Sequence, residues 1–516
     1  MKLNEDSIKW AINHICEYGD TDLFPHPVEL KIIESDKELA LEKLRDIDIC
    51  GEYKFSAFRK FLIPKDELSY RVATQLNPVD SILFAAVIHQ FGGLIEAKRA
   101  SLDKVFSYRF APESDGKLFS SNETWETYWA ECEQKAMRYK YVAYLDISDF
   151  YNQISHHTID NQLIGCGFPN QINKFIIGLL NFVNQKTSRG VPIGPHASHL
   201  LAELSLISID ESLNLKGFEY CRYVDDFVIF TNSYEEARMV FYHLAETLER
   251  QQRLVIQRQK SRIQESSEFT KICKKMQIDD PINPIEQDII DVIKDNSEDP
   301  YLIIKLSDLK AEDLEVLSFE NINSLLNEYI SQKTPNYSRI RWLYRRLSQI
   351  GIEHAVDFSI ANMQALIPAI NDVCLYLSSA SQYYQSDWKD IADKVFELLD
   401  IPIVKTNDYY RIVLLNLFVR NRKLNHISKL ISLFNHSSSA IRRKVILTAA
   451  QNNAQAWIRE LKESYEAFDD WNKNAYLIAT ACLEKEERKF LLQSIKERSN
   501  RNSKLEEIII EWSKRK

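Results

Sequence analysis

Tyr220-Cys221-Arg222-Tyr223-Val224-Asp225-Asp226-Phe227-Val228-Ile229-Phe230 is the stretch whose reading settles the architecture. Apolar and aromatic residues flank two adjacent carboxylates, a pattern that predicts a β-hairpin with Asp225 and Asp226 at its tip. Side chains alternate faces along a strand, so neighbouring aspartates in a short apolar hairpin must either reach solvent or hold a cation. Upstream, Tyr141-Val142-Ala143-Tyr144-Leu145-Asp146-Ile147-Ser148-Asp149-Phe150-Tyr151 has the same character. Asp146 closes a β-branched and aromatic strand, and Asp149-Phe150-Tyr151 begins a helix. If the two elements pair, Asp146 meets Asp225 and Asp226, and three converging carboxylates raise one another's pKa unless metal neutralises them. A pair of Mg²⁺ ions about 3.5–4 Å apart, clamping attacking and leaving oxygens, is the known use of such a cluster. Mn²⁺ accepts the same oxygen donors.

The boxes around these aspartates resemble those of reverse transcriptases. Tyr223-Val224-Asp225-Asp226 is similar to the family's Tyr-x-Asp-Asp box, and Asp146 with Phe150 and Tyr151 to the catalytic box before it. There an aromatic residue five positions after the aspartate screens the sugar 2′-hydroxyl, and Tyr151 falls in that place. Arg189-Gly190-Val191-Pro192-Ile193-Gly194-Pro195-His196-Ala197-Ser198 resembles the glycine-proline loop that supports template and incoming nucleotide. Leu254-Val255-Ile256-Gln257-Arg258-Gln259-Lys260-Ser261 resembles the next box, whose lysine lies near departing pyrophosphate. The four boxes stand in the family's order. The resemblance implies catalytic and metal-binding roles for Asp146, Asp225 and Asp226. It implies nucleotide contacts for Asp149, Phe150, Tyr151, Pro192, Gly194 and Lys260, with deoxynucleoside triphosphates as substrates.

With 516 residues the chain is long enough for two or three domains, and 12 glycines and 14 prolines argue for helices over turn-rich β structure. Eight scattered cysteines without a Cys-x-x-Cys pair predict buried thiols in a reducing, cytoplasmic setting. The polar N-terminus and the absence of a long apolar run predict neither leader peptide nor membrane partner. The net charge of -9 lacks the basic bias of a protein that grips a long duplex, so any nucleic-acid grip must come from local patches.

Taken in order, residues 1–139 read as N-terminal helices followed by fingers, with Gly19-Asp20-Thr21-Asp22-Leu23-Phe24-Pro25-His26-Pro27 as a proline-terminated connection. That connection resembles an opening found in bacterial reverse transcriptases linked to phage defence. Phe61-Leu62-Ile63-Pro64-Lys65 and Tyr70-Arg71-Val72-Ala73-Thr74-Gln75-Leu76 predict a hairpin. In the family a lysine and an arginine of such a hairpin bind the triphosphate, which points to Arg71 and, second, to Lys65. Ser107-Tyr108-Arg109-Phe110-Ala111-Pro112 resembles the segment closing the fingers. Trp125, Tyr128 and Trp129 share a helix at core spacing, and the adjacent His156 and His157 suit a helix start better than a metal. Residues 140–265 form the palm, and 266–300, polar and acidic, read as a linker or irregular passage. Residues 301–516 read as paired helices with a period near 30, an all-α HEAT-like repeat with no recognisable thumb. Arg339, Arg341, Arg345 and Arg346, and Arg442, Arg443 and Lys444, could line a concave face or simply be solvated.

One departure from the family is informative. Pro192-Ile193-Gly194 replaces the usual Pro-Gln-Gly, and isoleucine supplies neither the donor nor the acceptor of a glutamine. With the missing thumb, acidic charge and helical C-terminal half, the layout resembles the abortive-infection reverse transcriptases that protect bacteria against phages. That group implies template-independent DNA synthesis from a hydroxyl of the protein, leaving single-stranded DNA attached. The priming residue is undetermined among 24 tyrosines, and a homo-oligomer and a phage or host protein partner at the repeats stay open. So do a templated retron-like enzyme and a scaffold with a vestigial palm. The retron box Asn-Ala-x-x-His has no counterpart beyond Asn453-Ala454-Gln455-Ala456-Trp457, and a group II intron maturase would need a thumb and a basic RNA-binding region.

Overall fold

Apolar periodicity converts into six strands and a long succession of helices among the residues that the computed structural model describes. These are 1–49, 53–185, 187–277, 283–296, 304, 306–385, 388–435, 437–498 and 503–516. The strands are β1 (Arg59–Pro64), β2 (Tyr70–Gln75), β3 (Tyr141–Asp146), β4 (Glu219–Tyr223), β5 (Asp226–Thr231) and β6 (Arg262–Glu265). Two compact units result. One comprises Met1–Asp22, Pro27–Arg59 and Thr74–Asp280; the other comprises Leu23–His26, Lys60–Ala73 and Pro281–Lys516.

In the first unit β3 to β6 form a sheet in the order β4-β5-β3-β6, with antiparallel neighbours throughout. Its central strands β3 and β5 are largely buried and apolar, as packing between helical layers requires, whereas the edge strand β6 is polar and partly exposed. Val142, Cys221, Val228 and Phe230 pack with Tyr128 and Trp129 of the helix Trp125–Ala136 and with Phe269 and Cys273 of the helix Ser266–Gln277. The helix Tyr234–Gln252 lies against β3 and β5. Tyr128 and Trp129 are therefore core residues, as their spacing predicts. The helix Pro78–Glu96, capped by Asn77, is the one described helix long and apolar enough to cross a membrane, which the sequence did not lead us to expect. Its most apolar stretch is 72% buried inside the protein, so it reads here as a core helix.

The passage expected to be a linker at 266–300 is helical over both of its described stretches. Ser266–Gln277 buries Phe269 and Cys273 at i,i+4 spacing, and Pro284–Asn296 buries Ile289, Ile290 and Ile293. Polar composition concealed two amphipathic helices, and Pro284 opens the second rather than breaking it. Asp279, Asp280 and Pro281 lie outside the described residues.

The second unit is predominantly helical. Tyr337–Ile350 packs on Ile370–Ala380, which packs on Asp408–Arg420. Ser439–Gln451, Asp470–Ala479 and Lys504–Arg515 continue the row. Its helices include Asp408–Arg420, Ile427–Ser432, Ser439–Gln451, Gln455–Glu460, Asp470–Ala479 and Lys485–Arg498. Two distant segments complete its core. Phe24, Phe61, Ile63 and Ala73 join the helical apolar cluster, with the Phe24 ring 5.5 Å from Phe61 and 6.4 Å from Tyr409. The tip of the β1-β2 hairpin is tied down as well. Tyr337 Oη donates to Glu67 at 2.9 Å, and Arg341 donates to the Lys65 carbonyl at 2.9 Å.

Neither of the two readings of the basic clusters, a concave face or a solvated surface, fits Arg443 and Lys444. Arg443 and Lys444 are buried. Arg443 donates to the Trp471 carbonyl at 2.8 Å and Lys444 to Asn416 at 2.6 Å. Arg339 pairs with Glu286, and Arg345 with Asp372 at 2.6 Å. These cations tie helix to helix, which is what a long basic side chain with an apolar stem can do inside a stack.

The non-contiguous core yields a prediction. Phe24→Ala should open a cavity costing about 3–5 kcal/mol in the helical unit. It should lower the midpoint of that unit's urea transition, followed by hydrogen exchange in Asp408–Arg420, although residue 24 is remote from it in sequence.

Candidate active site

The β3-β5 register sets Asp146 opposite Asp226, and the amide of Ile147 reaches the Asp225 carbonyl at 3.3 Å. Two sequence-distant aspartates thus meet at the end of one ladder, with Asp225 in the turn beside them. The turn is unusual. Val224 holds φ 53°, a left-handed conformation that a β-branched residue adopts only when its surroundings impose it. Arg222 Nη1 donates to the Val224 carbonyl at 2.9 Å, and the Val224 amide donates to Ser107 Oγ at 2.8 Å.

Those two clamps belong to a buried ion network. Arg222 donates to Asp210 at 2.9 and 2.6 Å and pairs with Glu203 at 2.9 Å. Arg99 reaches Glu203 at 2.7 Å, and Ser107 Oγ donates to the same carboxylate at 2.5 Å. Arg99 and Arg109 also pair with Glu96. Burial alone would raise the Glu203 carboxyl; Arg222, Arg99 and Ser107 hold it below the usual carboxylate range. Three guanidinium groups face three carboxylates, which lets the network stay charged away from water.

The catalytic candidates lack such balance. Asp146 is 6% exposed and accepts from Lys260 Nζ at 2.9 Å, while Asp226 accepts from Tyr144 Oη at 2.6 Å. Burial, then the charges of Asp226 and Asp146, push the Asp225 carboxyl up to about 7. Burial and Asp146 raise Asp226 as well, against the Tyr144 hydrogen bond. The hydrogen bond to Asp146 raises Lys260, which pairs with one of the three acids. Buried and half-buried carboxylates short of positive charge are a donor set suited to a hard divalent cation with oxygen ligands. Among the described residues no three His, Cys, Asp or Glu side chains lie close enough to hold an ion as they stand. Tyr144 and Lys260 engage two of the candidates instead.

The remaining candidates divide between the units. Asp149 holds φ 50° and its carboxylate accepts from Asn152 at 2.6 Å; Phe150 is buried. The Tyr151 carbonyl accepts from the Val191 amide at 2.8 Å, which binds the short helix Phe150–Gln153 to the loop carrying Pro192 and Gly194. Pro192 is buried, and the Ile193 carbonyl accepts from the Thr74 amide at 2.7 Å. Gly194 is required by space and by φ of +133°, since a Cβ there would lie 2.4 Å from the Thr74 carbonyl oxygen. Lys65 and Arg71 belong to the second unit. His156 uses both ring nitrogens on Asn181 and the Gly190 carbonyl, each at 2.9 Å, so it is structural.

Sequence reasoning missed Tyr144, Arg222, Glu203, Asp210, Ser107 and His199. A signal for the network was present. Arg222 interrupts an apolar strand and demands buried acids, and Glu203 and Asp210, seven residues apart, share a face of the helix Ala197–Leu215.

An antiparallel sheet that presents paired aspartates at a hairpin tip, backed by helices, defines a nucleotidyltransferase palm. The model of the family described as reverse transcriptase (RNA-dependent DNA polymerase) matches residues 63–279, so the chain carries a reverse transcriptase domain, a DNA polymerase module, over that span. No curated protein matches the chain. Solved structures similar to it include a telomerase from Candida albicans in complex with a fragment of telomeric RNA, with 10% identity, 70% of this chain and 69% of that chain covered, and a TM-score of 0.30. Apo telomerase from Candida tropicalis shows 11% identity, coverage of 71% and 70%, and a TM-score of 0.33.

Removing one partner of the buried network should expose its cost. Glu203→Ala leaves Arg222 and Arg99 short of charge and should destabilise the first unit by about 3–5 kcal/mol in urea unfolding. The buried imidazole of His199 supplies a pH test. Burial lowers it from 6.5 to about 4, so its contribution to stability is complete above pH 6.5 and is lost as pH falls toward 4. The wild-type melting temperature should therefore fall between pH 7 and pH 5 by more than that of His199→Asn, measured by differential scanning calorimetry.

Proposed function

We propose that this protein is a DNA polymerase of reverse-transcriptase type acting in antiphage defence, which adds deoxynucleotides without a template to a hydroxyl of the protein itself. The observation that carries the polymerase reading is the β3-β5 register, which sets Asp146 opposite Asp226 beside Asp225. These three side chains would hold Mg²⁺, or Mn²⁺ in its place. Bound there, the ions would lower the pKa of the attacking hydroxyl and offset charge on the leaving pyrophosphate. Lys260 would donate a proton to pyrophosphate or orient it. Arg71 and Lys65 would neutralise the triphosphate, Asp149 and Phe150 would frame the nucleotide with Pro192 and Gly194, and Tyr151 would exclude a 2′-hydroxyl.

Ile193 supports the untemplated part of the reading. Its side chain offers no hydrogen bond to a templated base pair, and its carbonyl is already used by Thr74. The defence role rests on the resemblance in layout to abortive-infection enzymes: fingers and palm, then a helical half of HEAT-like kind that would bind a phage or host protein, in the cytoplasm. The product would be single-stranded DNA covalently attached to the protein, which would work as a monomer or as a homo-oligomer.

Purified protein incubated with Mg²⁺ and each deoxynucleotide, without template or primer, should yield protein-linked DNA on a denaturing gel. Extension seen only with an added RNA template and primer would replace this reading by a templated one, and no product in any arm would favour a scaffold. Asp225→Asn should lower turnover at least about 10³-fold, equal to about 4 kcal/mol of transition-state stabilisation, while circular dichroism stays unchanged.

A further inference from the structure

The phenol of Tyr151 is held by an imidazole. Tyr151 Oη lies 2.7 Å from His199 Nδ1, and the two rings meet edge to face at 89° with centroids 5.8 Å apart. His199 stands in the first turn of the helix Ala197–Leu215, and its ring lies flat on Tyr108, with centroids 4.0 Å apart at 4°. Tyr108 holds φ 47° there, and its carbonyl is fixed by Arg99 Nη1 at 2.7 Å. Phe119 closes the stack against Tyr108 at 5.1 Å. His199 is therefore fixed on one face by stacking and along one edge by the phenol.

The stack adjoins the acidic cluster. Asp225, Glu203 and Tyr223 all act electrostatically on the Tyr151 phenol, and Glu203 acts on His199. Both partners are neutral at pH 7, because burial holds the phenol protonated and the imidazole deprotonated. A neutral phenol and a neutral imidazole share one proton in a hydrogen bond whichever nitrogen carries the ring hydrogen. Tyr151 is further tied at its carbonyl to the Val191 amide. The rotation of its ring is then met by the edge of Phe150, with centroids 5.6 Å apart, and by the bond to His199.

We infer that His199 is the positioning residue that fixes the ring plane of Tyr151 and thereby sets discrimination between deoxy- and ribonucleotides. This rests on the polymerase reading above and deepens it. A tyrosine ring excludes a 2′-hydroxyl only while its edge stays where that hydroxyl would be, and a ring free to tilt about χ1 and χ2 yields space. The phenol oxygen is engaged by His199 at 2.7 Å. Its role is to hold the ring.

The test compares incorporation of a deoxynucleotide and its ribonucleotide by the full chain with Mg²⁺, as the ratio of kcat/KM values. Tyr151→Phe removes only the phenol oxygen, and His199→Phe removes the nitrogen while keeping a flat ring against Tyr108. Each should raise relative ribonucleotide use about tenfold, chiefly through a lower ribonucleotide KM. The double variant should add little to either single one, and His199→Asn, which restores a polar group near Nδ1, should recover part of the discrimination. A structural role alone would lower both substrates together and leave the ratio unchanged. Unchanged ratios in Tyr151→Phe and His199→Phe, with deoxynucleotide synthesis intact, overturn the inference and leave the polymerase reading standing. If His199→Phe does not fold, Tyr151→Phe decides alone. Wild-type protein that polymerises neither sugar overturns both.

Discussion

A single guanidinium organises the palm. Arg222 is wholly buried in β4, and its donors reach Asp210, Glu203 and the carbonyl of Val224. Moving such a cation out of water is expensive, and only acids with matched geometry offset it. Having supplied them, the fold gains a fixed point. The helix Ala197–Leu215 that carries both acids becomes bolted to the hairpin strand. The Ser107–Arg109 segment is joined to the same point through Glu203 and Glu96, and the strained Val224 turn is held from both its amide and its carbonyl. Strain at a turn persists only where the surroundings over-determine it, and here they do.

The same helix extends that rigidity to Tyr151. His199 and Glu203 are one turn apart, and Glu203 and Asp210 two turns apart, so one helical face runs from the Tyr151 phenol to the hairpin clamp. The proposed chemistry would occupy the gap that this frame leaves uncompensated. The structural network balances three arginines against three acids, whereas Asp146, Asp225 and Asp226 face Lys260. The contrast separates their roles. Balanced buried charge is architecture, whereas an excess of shielded acid is the kind of imbalance that clusters at functional sites.

Much of this is legible in the sequence, for a physical reason. The carboxylates announce themselves because apolar strands have no use for them, so Asp146, Asp225 and Asp226 and their sheet could be read directly. Helices from 408 onward are legible because apolar residues recur at three- and four-residue intervals. The passage 266–300 is not, because amphipathic helices such as Ser266–Gln277 bury few residues and look polar in composition. The basic residues of the C-terminal half mislead for the opposite reason. Charge in a sequence carries no information on whether a stem is buried, and Arg443 and Lys444 lie inside the stack. His199 is silent because its stacking partner, Tyr108, is nearly a hundred positions away.

The stretch Gly19–Pro27 illustrates how one short segment satisfies two demands. In the first unit the Asp20 carboxylate accepts from Ser81 Oγ at 2.5 Å and from the His196 amide, which supports the end of the glycine loop. Burial raises that carboxyl to about 6 despite both hydrogen bonds. His14 reinforces the same point, its ring 3.3 Å from His196 Nδ1 and stacked on Trp10 at 5.1 Å. Three residues beyond Asp22 is Pro25, and between them Phe24 enters the apolar core of the second unit. An acid, then an aromatic, then prolines is therefore a connection whose side chains each have a structural task. The acid is there because a backbone amide of the glycine loop needs an acceptor. The aromatic is there because a helical core needs a ring, and Pro25 and Pro27 follow both duties, directly ahead of the helix Val28–Ser35.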